Sequence, residues 1–194
     1  MRYPNAVNRE NLRHRSFVQI FVGAGLGLAL CDQMHVQAGV LTHEEPGPFG
    51  QGWWVPLVFG AAGVVIVLVA QVFASGRPRS GLLVPAAWFV GAYALTALVS
   101  EDHPYALAVV LWVTGVARLA REPEPARSAV FAALLAITGP LVEFAFSEAG
   151  LFSYAQDFGT VALWLTALYV HGAPLALTLG GIMPRPWRAS TRPS

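Results

Sequence analysis

The chain has 194 residues, of which 55% are hydrophobic and only 12% charged, with a net charge of +1. Soluble domains carry about 25% charged residues, so this balance, with a mean hydropathy of +0.54, points to a membrane protein. The single cysteine, Cys31, rules out an internal disulfide framework and a cysteine metal cluster, and the absence of a basic stripe argues against nucleic acid as a partner.

In chain order, residues 1–16 form a polar segment bearing Arg2, Arg9, Arg13 and Arg15. The apolar run that follows has no small-residue cleavage site and ends in Asp32, Gln33 and His35, so it is expected to be retained as a first membrane helix. Six apolar segments are predicted, at residues 17–34, 53–73, 82–99, 105–119, 128–146 and 160–183. A helix needs about 20 residues to cross the hydrocarbon core. By that measure the first, third and fifth are marginal and the fourth is short. The second opens on Trp53-Trp54, whose indoles suit the headgroup level, with Pro56 in its first turn where a missing N–H costs little.

The connections give an orientation. The loops around Glu44-Glu45, Glu101-Asp102 and Glu148 to Asp157 contain no arginine. The alternate loops and both ends hold all 12 basic residues, every one an arginine, including Arg77, Arg79, Arg118, Arg121, Arg127, Arg185, Arg188 and Arg192. Because positive charge stays cytoplasmic, the expectation is an all-α, six-transmembrane-helix bundle with both termini cytoplasmic. It comprises an N-terminal segment 1–16, a membrane domain 17–183 and a tail 184–194.

Inside the helices, Gly23 and Gly27 make a GxxxG step, and Gly60 and Gly63 a second small face, suited to close helix approach. Pro85, Pro140 and Pro174 are expected to interrupt the third, fifth and sixth helices. A kink at Gly139-Pro140 would open a gap beside Ala136. Ionisable groups at membrane depth mark function or satisfied interior bonds. Asp32, Gln33, His35 and Gln37 cluster at the end of the first helix, where Asp32 and His35 can pair locally. Glu143 lies near the outer end of the fifth helix, one turn beyond Pro140, as a ligand contact or a structural bond to His171 or to the Asp32–His35 cluster, and His171 lies near the middle of the sixth. No HExxH, G-x-S-x-G or glycine-rich phosphate loop occurs, so a non-enzyme is expected, without metal or cofactor.

Several motifs then run in one order. Trp53-Trp54-Val55-Pro56 with Gly60 is preceded by His35-Val36-Gln37 and followed by Ala87-Trp88-Phe89-Val90-Gly91. Leu111-Trp112 with Thr114, Gly150 to Tyr154 with Asp157-Phe158, and Trp164-Leu165 complete the series. Together they resemble the Insig family, six-helix membrane proteins that in eukaryotes sense sterols in the endoplasmic reticulum. The resemblance implies a lipid in an intramembrane cavity, sterol-like or a glycerolipid such as diacylglycerol, with a sensing or regulatory role. It implicates Phe89 and Trp112; Trp54, Gln33, Glu143 and His171 complete the candidate ligand-binding set. Val116 stands where the eukaryotic proteins carry an aspartate that holds their escort protein, so that partner is not expected. The arginine-only, Ala/Gly/Val-rich composition suggests a bacterial relative in the cytoplasmic membrane. The expected partners are a lipid ligand and the bilayer, with self-association into a homo-oligomer left open. A membrane-embedded enzyme acting on lipid and a small transporter are the alternatives.

Overall fold

The computed structural model describes residues 6–74, 81–99, 102–155 and 161–183, with side chains from 16 onward. The loop arginines Arg77 and Arg79, the terminal arginines and the Asp157-Phe158 motif lie outside those side chains. Six helices follow one another: α1 (Ala6–Gln37), α2 (Val55–Phe73), α3 (Leu83–Val99), α4 (Pro104–Leu119), α5 (Pro125–Glu148) and α6 (Leu165–Ile182). Two three-residue strands, β1 (Leu41–His43) and β2 (Phe152–Tyr154), lie in the connections after α1 and α5.

Four spans are long and apolar enough to cross a bilayer: Ser16–Gln37, Pro48–Phe73, Pro125–Glu148 and Leu165–Ile182. The first and fifth helices are therefore longer than the sequence suggested. Backbone hydrogen bonding carries α1 back into the polar segment as far as Ala6, and α5 from Pro125 to Glu148. Hydropathy alone stops at the first charge, whereas a helix stops where its backbone bonds end. The remaining two are short, 17 residues for α3 and 16 for α4. At a 1.5 Å rise, α4 spans only about 24 Å, and local thinning of the bilayer accommodates it at modest cost.

Proline sets several boundaries. Pro56, Pro104 and Pro125 stand in the first turns of α2, α4 and α5, where the missing donor is not needed. Pro85 is the third residue of α3 and so starts that helix rather than interrupting it. Pro140 and Pro174 do lie inside helices. At the other ends, Gly39 and Gly150 close α1 and α5 in the left-handed region, φ 76° and 69°.

The strands pair antiparallel, Leu41 opposite Tyr154 and His43 opposite Phe152. Alternation buries Leu41 and His43 of one strand and their partners Tyr154 and Phe152 of the other on the same face, which ties two arginine-free loops into one cap. Beside this cap Phe49 takes a positive φ of 69°, and its carbonyl accepts from Gln33 Nε2 at 2.9 Å and Gln37 Nε2 at 3.1 Å. Phe49 and Trp53 stand 82% and 70% exposed at this end of the bundle, whereas Trp54, the other member of the tryptophan pair, packs into the cap.

Helix α6 is the centre. It packs against α2, α3, α4 and α5, and 56% of its spanning residues are buried, against 22% for α1. Large apolar side chains such as Leu30, Leu83 and Leu98 stay exposed on the outside, as lipid-facing residues do. Helix α1 packs most extensively on α2, and glycine makes that contact possible, though not at the predicted step. A Cβ on Gly23 or Gly27 would meet open space. One on Gly25 would lie 2.5 Å from the Pro56 carbonyl oxygen, and one on Gly60 2.7 Å from that of Phe21. Gly63 lies against Ala24. The seam is therefore Gly25 and Ala24 of α1 against Gly60 and Gly63 of α2.

Candidate functional site

The polar groups at membrane depth sort into three separate sets. In the first, the carboxyl of Asp32 accepts from Gln51 Nε2 at 2.8 Å and lies 3.4 Å from His43 Nε2. His35 does not pair with it. The His35 ring turns the other way, 2.7 Å from Thr96 Oγ1 and against the rings of Tyr93 and Trp164. Both partners of Asp32 come from the connection beyond α1, so this set fastens the cap onto the helix.

In the second set, the Glu143 carboxyl accepts from Tyr169 Oη at 2.7 Å and from Tyr154 Oη. Tyr154 lies outside the spanning helices. Burial, and after it the neighbouring Glu143 charge, raises its phenol well above the ordinary range, which keeps it a donor. No gap stands open at the Gly139-Pro140 step: the Tyr169 ring lies directly on Gly139, where any side chain would collide with it. Pro140 removes a backbone donor, and the space beside it holds the ring whose hydroxyl reaches Glu143. Neither His171 nor the Asp32–His35 cluster supplies the bond.

The third set borders open space. His171, 2% exposed on α6, has its Nε2 3.0 Å from the Leu111 carbonyl and 3.4 Å from Thr114 Oγ1. A carbonyl only accepts, so Nε2 carries the proton and Nδ1 is left as an acceptor, which meets no partner among the described residues. The Trp88 indole stacks on the imidazole, with centroids 6.3 Å apart and planes at 18°. These side chains line an open groove of about 330 Å³ between α3, α4 and α6, together with Gly91, Leu95 and Val110. A second groove of about 460 Å³ adjoins it, sharing Trp88 and Thr114 and ending at Arg118 and Arg121.

Of the sequence-predicted site residues, only His171 lines this space. Phe89 borders neither groove; its ring lies on Gly172, the residue after His171, and edge-on to Tyr93. Trp112 is on the outer side of α4, 40% exposed, and borders neither groove. Trp54 packs edge-on to His43 and Phe146, and Gln33 holds the Phe49 carbonyl; both belong to the cap. Glu143 sits with its two tyrosines. Sequence reasoning missed Trp88, Thr114 and Arg118. A usable signal was present for Arg118, an arginine in the last turn of a short apolar helix, whose long side chain reaches back along the groove to Trp88.

No protein-family model and no curated protein matches the chain. Among solved structures it is similar to the mycobacterial Insig homologue MvINS from Mycobacterium vanbaalenii, with 24% identity, a TM-score of 0.77, and coverage of 88% of this chain and 94% of that one. A cross-linked trimer of a variant of MvINS is equally similar, at 24% identity and TM-score 0.77, covering 89% and 95%. This likeness shows the fold. With four helices able to span a bilayer, the chain is a multi-pass membrane protein with the architecture of an Insig homologue.

Proposed function

We propose that the chain is a bacterial Insig-type protein that binds one lipid between α3, α4 and α6 and acts by sensing or retaining it, without catalysis. The observation that carries this is the groove itself, apolar along Gly91, Leu95 and Val110, with a buried histidine and a tryptophan lining it. Such a trough fits an acyl chain or ring system entering from the bilayer. A non-catalytic role is supported by the separation of Asp32, Glu143 and His171 into three hydrogen-bonded sets, so that these three do not meet as one acid–base constellation at the groove. Self-association accords with the trimer in which the MvINS variant was cross-linked.

Gly91 provides the test. It lines the groove, and a Cβ there meets nothing within 4 Å. Gly91→Leu should fill the trough while leaving the fold intact. Lipid retained by the protein in mild detergent, measured by mass spectrometry, should fall at least about tenfold, the loss of roughly 1.4 kcal/mol of burial. Retention equal to that of the unsubstituted protein would overturn the assignment.

Both termini are placed in the cytoplasm on the arginine pattern. In a Cys31→Ala background, an impermeant thiol reagent should label Glu44→Cys, Asp102→Cys and Glu148→Cys in intact cells, and Arg121→Cys only after lysis. The reverse pattern, or equal labelling of both groups, would remove this topology.

A further inference from the structure

The arginine-bearing end of the groove is the feature that the lipid-binding reading does not use. Arg118, in the last turn of α4, is half-buried. Its guanidinium carbon stands 5.8 Å from the centre of the Trp88 ring, and Nη1 donates to the His171 carbonyl at 3.4 Å. These two contacts hold the planar group in place yet occupy only one of its five N–H donors. Arg121 borders the same groove and is exposed, and the carboxylate of Glu122 lies beside them, so the lip carries two positive charges and one negative. Trp88 and Thr114 line both grooves, which therefore adjoin, and together the two reach from the charged lip to Val110. Along α4 that is eight residues, or about 12 Å.

We propose that this trough takes an anionic phospholipid, with its phosphate on Arg118 and Arg121 and an acyl chain along Trp88, Gly91 and Leu95 towards Val110. The proposal rests on the lipid reading of the groove given above and adds the headgroup class. Arginine matches phosphate because its fork of donors pairs with two oxygens at once. An arginine in the last turn of a spanning helix also sits at the depth of the lipid phosphates. A neutral lipid would leave two guanidinium groups facing the single carboxylate of Glu122; a free phosphate would leave the apolar part of the trough, along Gly91, Leu95 and Val110, empty. Charge and shape together therefore select a molecule that has both parts. Trp88 serves both, with one part of its indole against the guanidinium and the ring face on His171.

The test uses the full chain, delipidated in neutral detergent and titrated with phosphatidylglycerol, diacylglycerol of the same acyl chains, and inorganic phosphate, with bound lipid read by native mass spectrometry. The expected result is one phosphatidylglycerol per protein, favoured over diacylglycerol by about tenfold, the effect of one to two charge-assisted bonds. Arg121→Gln, at an exposed position that the fold does not need, should cut that preference severalfold without changing diacylglycerol binding. Arg118→Lys, which keeps the charge but loses the fork, should do the same. Equal binding of the two lipids by the unsubstituted protein would overturn the headgroup assignment and leave the groove. Binding of inorganic phosphate as tight as that of phosphatidylglycerol would overturn it too, as a bare anion site. If neither lipid binds, or Gly91→Leu leaves both unchanged, the lipid reading itself fails.

Discussion

Glu143→Ala is expected to lower the melting temperature of the protein in detergent by roughly 5–15 °C while leaving the co-purified lipid in place. The substitution removes the acceptor for two tyrosine hydroxyls, Tyr169 Oη at 2.7 Å and Tyr154 Oη. Each donor left without a partner in the interior costs about 1–3 kcal/mol, so together they cost about 2–6 kcal/mol. Glu143→Gln keeps a side-chain carbonyl that can accept from both, and should stay within about 1 kcal/mol. The diagnostic comparison is a cycle: in a Tyr169→Phe background, Glu143→Ala orphans only one hydroxyl and should cost about half as much. Equal cost in both backgrounds would show that the carboxyl does not serve Tyr169. Loss of lipid in Glu143→Gln with an unchanged melting temperature would instead make the carboxyl a ligand contact.

The spans were legible because hydropathy, the tryptophan pair and the prolines in first turns are local signals. Every predicted segment overlaps one observed helix, and the ends shift where backbone bonding continues past a charge, as at Ala6 and Glu148. The strands were not legible: three residues are too short to show a two-residue period, and Leu41 and Tyr154 meet only because loops over 100 residues apart are brought to one end. The same holds for the site. Trp88, Arg118 and His171 lie on three different helices, and nothing in any one of them specifies the other two. Glu143 was conspicuous in the sequence, whereas its partners were two ordinary tyrosines. A tyrosine in a spanning helix calls for an acceptor, and Tyr169 finds it in that carboxylate.

The first helix shows how much a spacing motif leaves open, and it supplies the sharpest structural prediction. Gly23 and Gly27 satisfy GxxxG, but the motif does not say which face meets a partner. Asp32 does, because a carboxylate at that depth turns inward. Stepping back from it by three and by seven residues reaches Ala29 and Gly25, which share its face and are buried with it. Gly25 is therefore the residue at the seam, and the obstacle to a side chain there is the Pro56 carbonyl oxygen, 2.5 Å from the position of a Cβ. A backbone oxygen at the start of a helix cannot rotate away as a side chain can, so α1 and α2 must separate. Gly25→Ala should cost about 1–3 kcal/mol as an overpacked contact, and Gly25→Val more. Gly60→Ala should behave alike, with the Phe21 carbonyl at 2.7 Å. Gly23→Ala and Gly27→Ala, with open space at both sites, should be neutral or stabilising by about 0.5–1 kcal/mol, since alanine is the better helix former. Thermal unfolding of the four variants in one detergent decides it. Destabilisation at Gly23 and Gly27 with none at Gly25 would mean that α1 is rotated from the face that carries Asp32, and the bond from Gln51 to Asp32 would have to break with it.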